Sequence, residues 1–111
     1  MKNTKQEIEK VVRQIMIDTE REYFENEKIY IELEKDKSIP FTNREIKKCW
    51  HISVSVQDEQ FDRGEPASIL IYINDDNNKI ECYLDCSSGR PFPLSVKLNE
   101  FGKYELAAIE K

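Results

Sequence analysis

Glycine is scarce in this chain. The three glycines, Gly64, Gly89 and Gly102, stand too far apart for a glycine-rich nucleotide-binding loop of the usual kind, and four prolines in 111 residues leave no proline-rich linker. There is a single histidine and there are three cysteines, an odd number in a chain that is not built like a disulfide scaffold. No run approaches the roughly 20 apolar residues that a membrane span requires. The first residues, Met1-Lys2-Asn3-Thr4-Lys5-Gln6, lead into a charged amphipathic segment without an apolar stretch, which argues against a signal peptide. A reducing, cytoplasmic location is the expectation from the free thiols. Cations are also in deficit: 17 Lys and Arg face 22 Asp and Glu, for a net charge of −5.

The acids are clustered. Asp18, Glu20, Glu22, Glu25 and Glu27 share their stretch with Arg21 alone, and Asp58, Glu59, Asp62 and Glu65 share theirs with Arg63. Such patches repel phosphate backbones, so nucleic-acid binding is not expected, whereas a basic protein partner is. The competing explanation for any one patch is a solvated surface that keeps a small protein soluble.

The length suits a single domain over 1–111, large enough for one core without a staple. Thr4 and Glu7 form a T-x-x-E capping box before a helical stripe of Ile8, Val11, Val12, Ile15, Met16, Thr19 and Tyr23. The spacing predicts a long helix from Thr4 to about Asn26. The period then changes to two: Ile29, Ile31 and Leu33 alternate with Tyr30, Glu32 and Glu34, which favours a strand over helical continuation. A second T-x-x-E, Thr42 and Glu45, points to a helical turn before the next strand. In Cys49 to Gln57, Trp50, Ile52, Val54 and Val56 take one face, and Cys49, His51, Ser53 and Ser55 take a polar one. Ala67 to Ile73 is apolar on both faces and reads as a central strand. Asn74 to Asn78 is a turn, and Lys79 to Asp85 returns with Ile80, Cys82 and Leu84 expected inward. Leu94, Val96 and Leu98 form a further strand; Tyr104 to Ala108 reads as a last strand or 105–110 as a short helix. The fold class is α+β: a long N-terminal helix on a curved, mostly antiparallel sheet of about five strands.

No catalytic or cofactor motif is complete. Cys49, His51, Cys82 and Cys86 offer zinc-type ligands, but C-x3-C is a loose spacing and Cys82 shares a face with Ile80 and Leu84, as a buried thiol does. A Cys–His nucleophile using Cys49 or Cys86 lacks a local signature. Asn74 to Asp85 misses the glycine and glutamate of a calcium loop, with Lys79 and Asp85 in their places. Ser87-Ser88-Gly89-Arg90 lacks the ending of a phosphate loop. No metal, cofactor or catalytic residue is expected.

The strand Cys49–Val56 (C-W-H-I-S-V-S-V), the acidic stretch after it and the hairpin Ile69–Ile80 (I-L-I-Y-I-N-D-D-N-N-K-I) carry a resemblance. From Val11 to Leu84 the layout resembles small bacterial polymorphic-toxin immunity proteins with cystatin-like or nuclear-transport-factor-like folds. Asn78 stands near the usual glycine of their hairpin turn. The resemblance implies a non-catalytic binder, an immunity or inhibitor protein. Its expected contacts with a basic partner are Asp58, Glu59, Asp62, Glu65, Asp75 and Asp76. Two other functions fit the pattern. One is a ligand-binding or enzymatic domain using the polar face of Cys49, His51, Ser53 and Ser55; the other is a homo-oligomeric structural subunit. The chain is expected as a monomer or homodimer.

Overall fold

A computed structural model of the chain describes residues 3–40, 42, 44–57, 66–87 and 92–108. One helix, α1 (Lys5–Asp18), precedes six strands: β1 (Tyr30–Ser38), β2 (Glu45–Gln57), β3 (Pro66–Asn74), β4 (Ile80–Asp85), β5 (Phe92–Leu98) and β6 (Tyr104–Ala108). The strands form one open sheet in chain order, with every neighbouring pair antiparallel. The fold is α+β, with six strands rather than five. No helix among the described residues is long and apolar enough to cross a membrane.

The helix starts where the capping box puts it. Thr4 Oγ1 accepts from Glu7 N at 3.2 Å, and Glu7 Oε1 accepts from Thr4 N at 3.1 Å. It ends earlier than the apolar stripe suggests, after 14 residues. Glu20 adopts the left-handed region at φ 55°, Glu20 N bonds Ile17 O and Arg21 N bonds Met16 O. That pair of bonds is a Schellman stop. A glutamate takes the position that glycine usually fills, so the stop carries no composition signal. A helix this short is marginal alone. It is held by burying Ile8, Val12, Ile15 and Met16 on the sheet, each contributing about 1.5–3 kcal/mol.

The sheet meets the helix with Trp50, Ile52, Val54 and Val56 of β2 and Ile69, Ile71 and Ile73 of β3, all buried in one cluster. Register joins them directly: Trp50 lies opposite Ile73, Ile52 opposite Ile71 and Val54 opposite Ile69. Ile31 and Leu33 of β1 extend the layer as predicted. The helix contacts both edge strands, β1 and β6. At the β6 edge, Tyr104 N donates to Asp18 Oδ2 at 3.0 Å.

Strand β4 departs from the expected phase. Tyr72 pairs with Cys82 but Ile73 pairs with Ile80, so Glu81 is an extra residue in a bulge. One inserted residue reverses the faces. Ile80 packs in the helix-side core, whereas Cys82 and Leu84 pack on the far side and Tyr83 takes the inward position. Strand β2 begins at Glu45, so 45–48 belong to the strand rather than to a helical turn. The last segment is strand β6, not a helix. Asn78 sits at φ 60° in the β3–β4 turn, the conformation that asparagine tolerates.

Candidate functional site

The far face of the sheet is not uniformly polar. Cys49, Tyr72, Cys82 and Leu84 are buried there with Ile39 and Ile46, which come from the two sides of the β1–β2 connection. This second cluster explains why β3 is apolar on both faces. Cys49 is therefore a core residue rather than part of an open polar surface. Its thiol is pushed up to about 12, first by burial and then by the carboxylates of Glu81 and Glu34. Burial also raises Cys82 and Cys86. All three thiols are free. A nucleophilic or metal-bound cysteine needs a lowered pKa, so these are thiols suited to packing. Among the described residues no group of His, Cys, Asp or Glu side chains is arranged to hold a metal ion.

Beside that cluster lies a half-exposed polar site around His51. Its ring stacks on Tyr72, with centroids 4.8 Å apart, and meets Tyr30 edge-on at 6.0 Å. His51 Nδ1 is 3.4 Å from Glu34 Oε1. Lys37 Nζ is 3.2 Å from Glu34 Oε2 and 5.5 Å from the Tyr72 ring centroid. The register places these groups together, since Glu32 is opposite His51 on one side and Tyr72 opposite it on the other. Burial alone would raise the Glu34 carboxyl, but Lys37 and His51 outweigh it and hold the group below its ordinary value. Ser53 and Ser55 continue the face as half-buried residues. The arrangement gives a sheet surface with aromatic and charged side chains. Glu34, Lys37 and Tyr72 were not marked by the sequence. Alternation places Glu34 on this face, but only the β1–β2 register puts it against His51.

The acidic candidates divide. Asp58, Glu59, Asp62 and Glu65 lie outside the described residues. Asp76 is exposed, and its backbone N–H bonds Asn74 Oδ1 at 2.9 Å. Asp75 is not a surface group: it is 1% exposed. Its Oδ1 accepts from Trp50 Nε1 at 2.9 Å and from Asn3 N and Nδ2, both at 3.1 Å. Asp75 thus satisfies the buried indole and fastens the chain ahead of α1 to the β3–β4 turn, a task that excludes docking. A second buried acid, Glu81, came with no sequence signal. Its side chain is 1% exposed, and Arg44 clamps it with two bonds of 2.7 and 3.1 Å. Ser87, from the Ser87–Arg90 stretch that lacks the ending of a phosphate loop, bonds Asp85 Oδ1 through its N–H and its hydroxyl; residues 88–90 lie outside the described residues.

The acidic stretch after α1 has a defined geometry. Glu20, Glu22, Glu25 and Glu27 are all exposed, and among the described residues none of the four forms an ion pair. The one cation between them, Arg21, is half-buried and turned to Asp85, with Nη2 3.8 Å from Oδ2. The segment is pinned rather than loose: Phe24 N bonds Ser55 O at 3.0 Å, and Arg13 Nη1 donates to Tyr23 Oη at 3.2 Å. Ile17, at the same end of the helix, is 63% exposed. The result is an anchored acidic surface with an apolar residue beside it. Compared with protein-family models, with curated proteins and with solved structures, the chain matches none.

Proposed function

We propose that the chain is a non-catalytic protein-binding module, an immunity or inhibitor protein that covers a basic surface of a toxin or enzyme. The observation that carries this reading is the pinned segment 20–27. Four glutamates project from it while its only cation faces inward. A fixed acidic surface steers a basic partner and costs little ordering on contact. The reading also agrees with the chemistry of the far face, where the thiols are driven toward the protonated form and His51 stacks on Tyr72 and meets Tyr30 edge-on.

The test is co-expression with the product of the adjacent reading frame, followed by co-purification and binding kinetics at several salt concentrations. A complex should form, and its association rate should fall steeply with salt. Replacing Glu20, Glu22, Glu25 and Glu27 by Gln should slow association about tenfold or more at low salt and flatten the salt dependence. Absence of both a complex and protection from the neighbour's toxicity would overturn the proposal.

A further inference from the structure

One feature of the helix side is independent of the acidic surface. A groove of about 680 Å³ runs between the first turns of α1 and strands β4 to β6. Its walls are Ile8, Val11, Ile73, Ile80, Val96 and Leu98. Ile8 and Ile73 are fully buried at its base, while Leu98 is 61% exposed at its mouth. The bulge at Glu81 turns Ile80 into this space.

The charge around the groove is opposite to that of the whole protein. Among the described residues three ionisable side chains other than Tyr104 line it: Glu7, Lys10 and Lys79. The Glu7 carboxylate already accepts from Thr4 N in the capping box. Lys10 is exposed and forms no ion pair among the described residues. Lys79 Nζ lies 3.6 Å from Glu81, whose carboxylate Arg44 holds independently at 2.7 Å. The amides of Asn3, Asn77 and Asn78 border the same space. Two ammonium groups thus flank an apolar trough.

We infer that this groove binds an apolar chain bearing a carboxylate head, such as a medium-length fatty acid, with Lys10 and Lys79 at the head and Val96 and Leu98 along the chain. The volume falls within the range of small-molecule sites, roughly 300–1,000 Å³. A single chain fits inside it. The net charge of the lining selects an anion over a neutral or cationic amphiphile.

The experiment is a methyl NMR titration of the whole chain with octanoate, decanoate and 1-decanol. Decanoate should shift the methyls of Ile8, Ile80, Val96 and Leu98 saturably, with Kd at or below about 1 mM. Each methylene buried should tighten binding about fourfold, so octanoate should bind about 15-fold more weakly. Decanol should bind about fivefold more weakly than decanoate, and Lys10→Gln with Lys79→Gln should remove that preference. Leu98→Asp, at an exposed position, should abolish saturable binding while leaving the Ile39 and Leu84 methyls of the far cluster in place. Equal affinity for decanoate and decanol, no dependence on chain length, or shifts elsewhere on the protein would each overturn the inference. So would groove methyls that respond to protein concentration with a doubling of mass, because a second copy would then fill the space.

Discussion

Removing the Asp75 carboxylate should be among the most damaging single changes in this protein. Its Oδ1 receives three N–H donors, one from the buried Trp50 indole and two from Asn3. Hydrogen bonds to a charged group contribute about 1.5–3 kcal/mol each, and a buried donor left unsatisfied costs about 1–3 kcal/mol. The Asn3 donors regain water on release, so the indole dominates. Asp75→Ala is therefore expected to cost about 3–4 kcal/mol, against a total stability of roughly 5–15 kcal/mol for a domain of this kind. Asp75→Asn keeps an acceptor oxygen for the indole but loses the charge and puts an NH2 group in place of the second oxygen, so it should cost about 1–2 kcal/mol. Urea unfolding followed by fluorescence measures both, because Trp50 is the only tryptophan. A cycle with Trp50→Phe, followed by circular dichroism, isolates the indole bond and should give a coupling of about 1–2 kcal/mol. A loss below 1 kcal/mol for Asp75→Ala, or a coupling near zero, would refute the assignment of Asp75 as the partner of the indole.

Other consequences can be measured on the same material. Tyr83 is fully buried on the helix side and its hydroxyl has no hydrogen-bond partner among the described residues; Tyr83→Phe should stabilise the protein by about 1 kcal/mol, and a comparable loss would show that the hydroxyl is satisfied. Cys49, with its thiol pushed up to about 12, should hold about a thousandfold less thiolate at pH 8 than an ordinary cysteine. Timed alkylation read by mass spectrometry should label the half-buried Cys86 first, and rapid labelling of Cys49 in the folded protein would contradict the packing. The Glu34 carboxyl is depressed below its ordinary value of 4.5, so its contribution is present above that pH and is lost as pH falls through the folded-state value. The stability gap between the wild type and Glu34→Gln, followed by urea unfolding from pH 6 to pH 3, should shrink as the pH falls. A gap that stays constant would mean that the ion pair with Lys37 and His51 makes no net contribution.

Local signals were legible where chemistry is local. The Thr4–Glu7 box located the helix start, and the alternation in β2 assigned Trp50, Ile52, Val54 and Val56 to the core. The errors arose where one residue changes the frame. Glu20 stops the helix from a left-handed conformation that a glutamate does not advertise. Glu81 inserts a bulge, and everything after it in β4 changes face, which moved Cys82 and Leu84 out of the predicted inner layer. Strand periodicity carries no mark of such an insertion, because an extra residue is visible only against the partner strand. Asp75 shows a related limit. In a run of N-D-D-N-N, composition announces a turn, and only the geometry separates buried Asp75 from exposed Asp76.

These errors bear directly on the candidate sites. Reading His51 and Cys49 as members of one polar face follows from alternation, but alternation says nothing about what covers a face. Ile39 and Ile46 close over Cys49 and leave His51 at the margin, between two tyrosines and against Glu34. Adjacent positions on one strand face therefore have opposite chemistry: a thiol held protonated by burial, and an imidazole held at the surface by stacking. A concerted Cys–His reaction needs both groups in one accessible, solvated space. The structure divides that space between a covered thiol and a half-exposed ring. The same division assigns the bulge a purpose on the other side. By turning Ile80 inward and Cys82 outward, Glu81 both completes the far cluster and lines the helix-side groove. Deleting Glu81 to restore an unbroken ladder would disturb the two surfaces together.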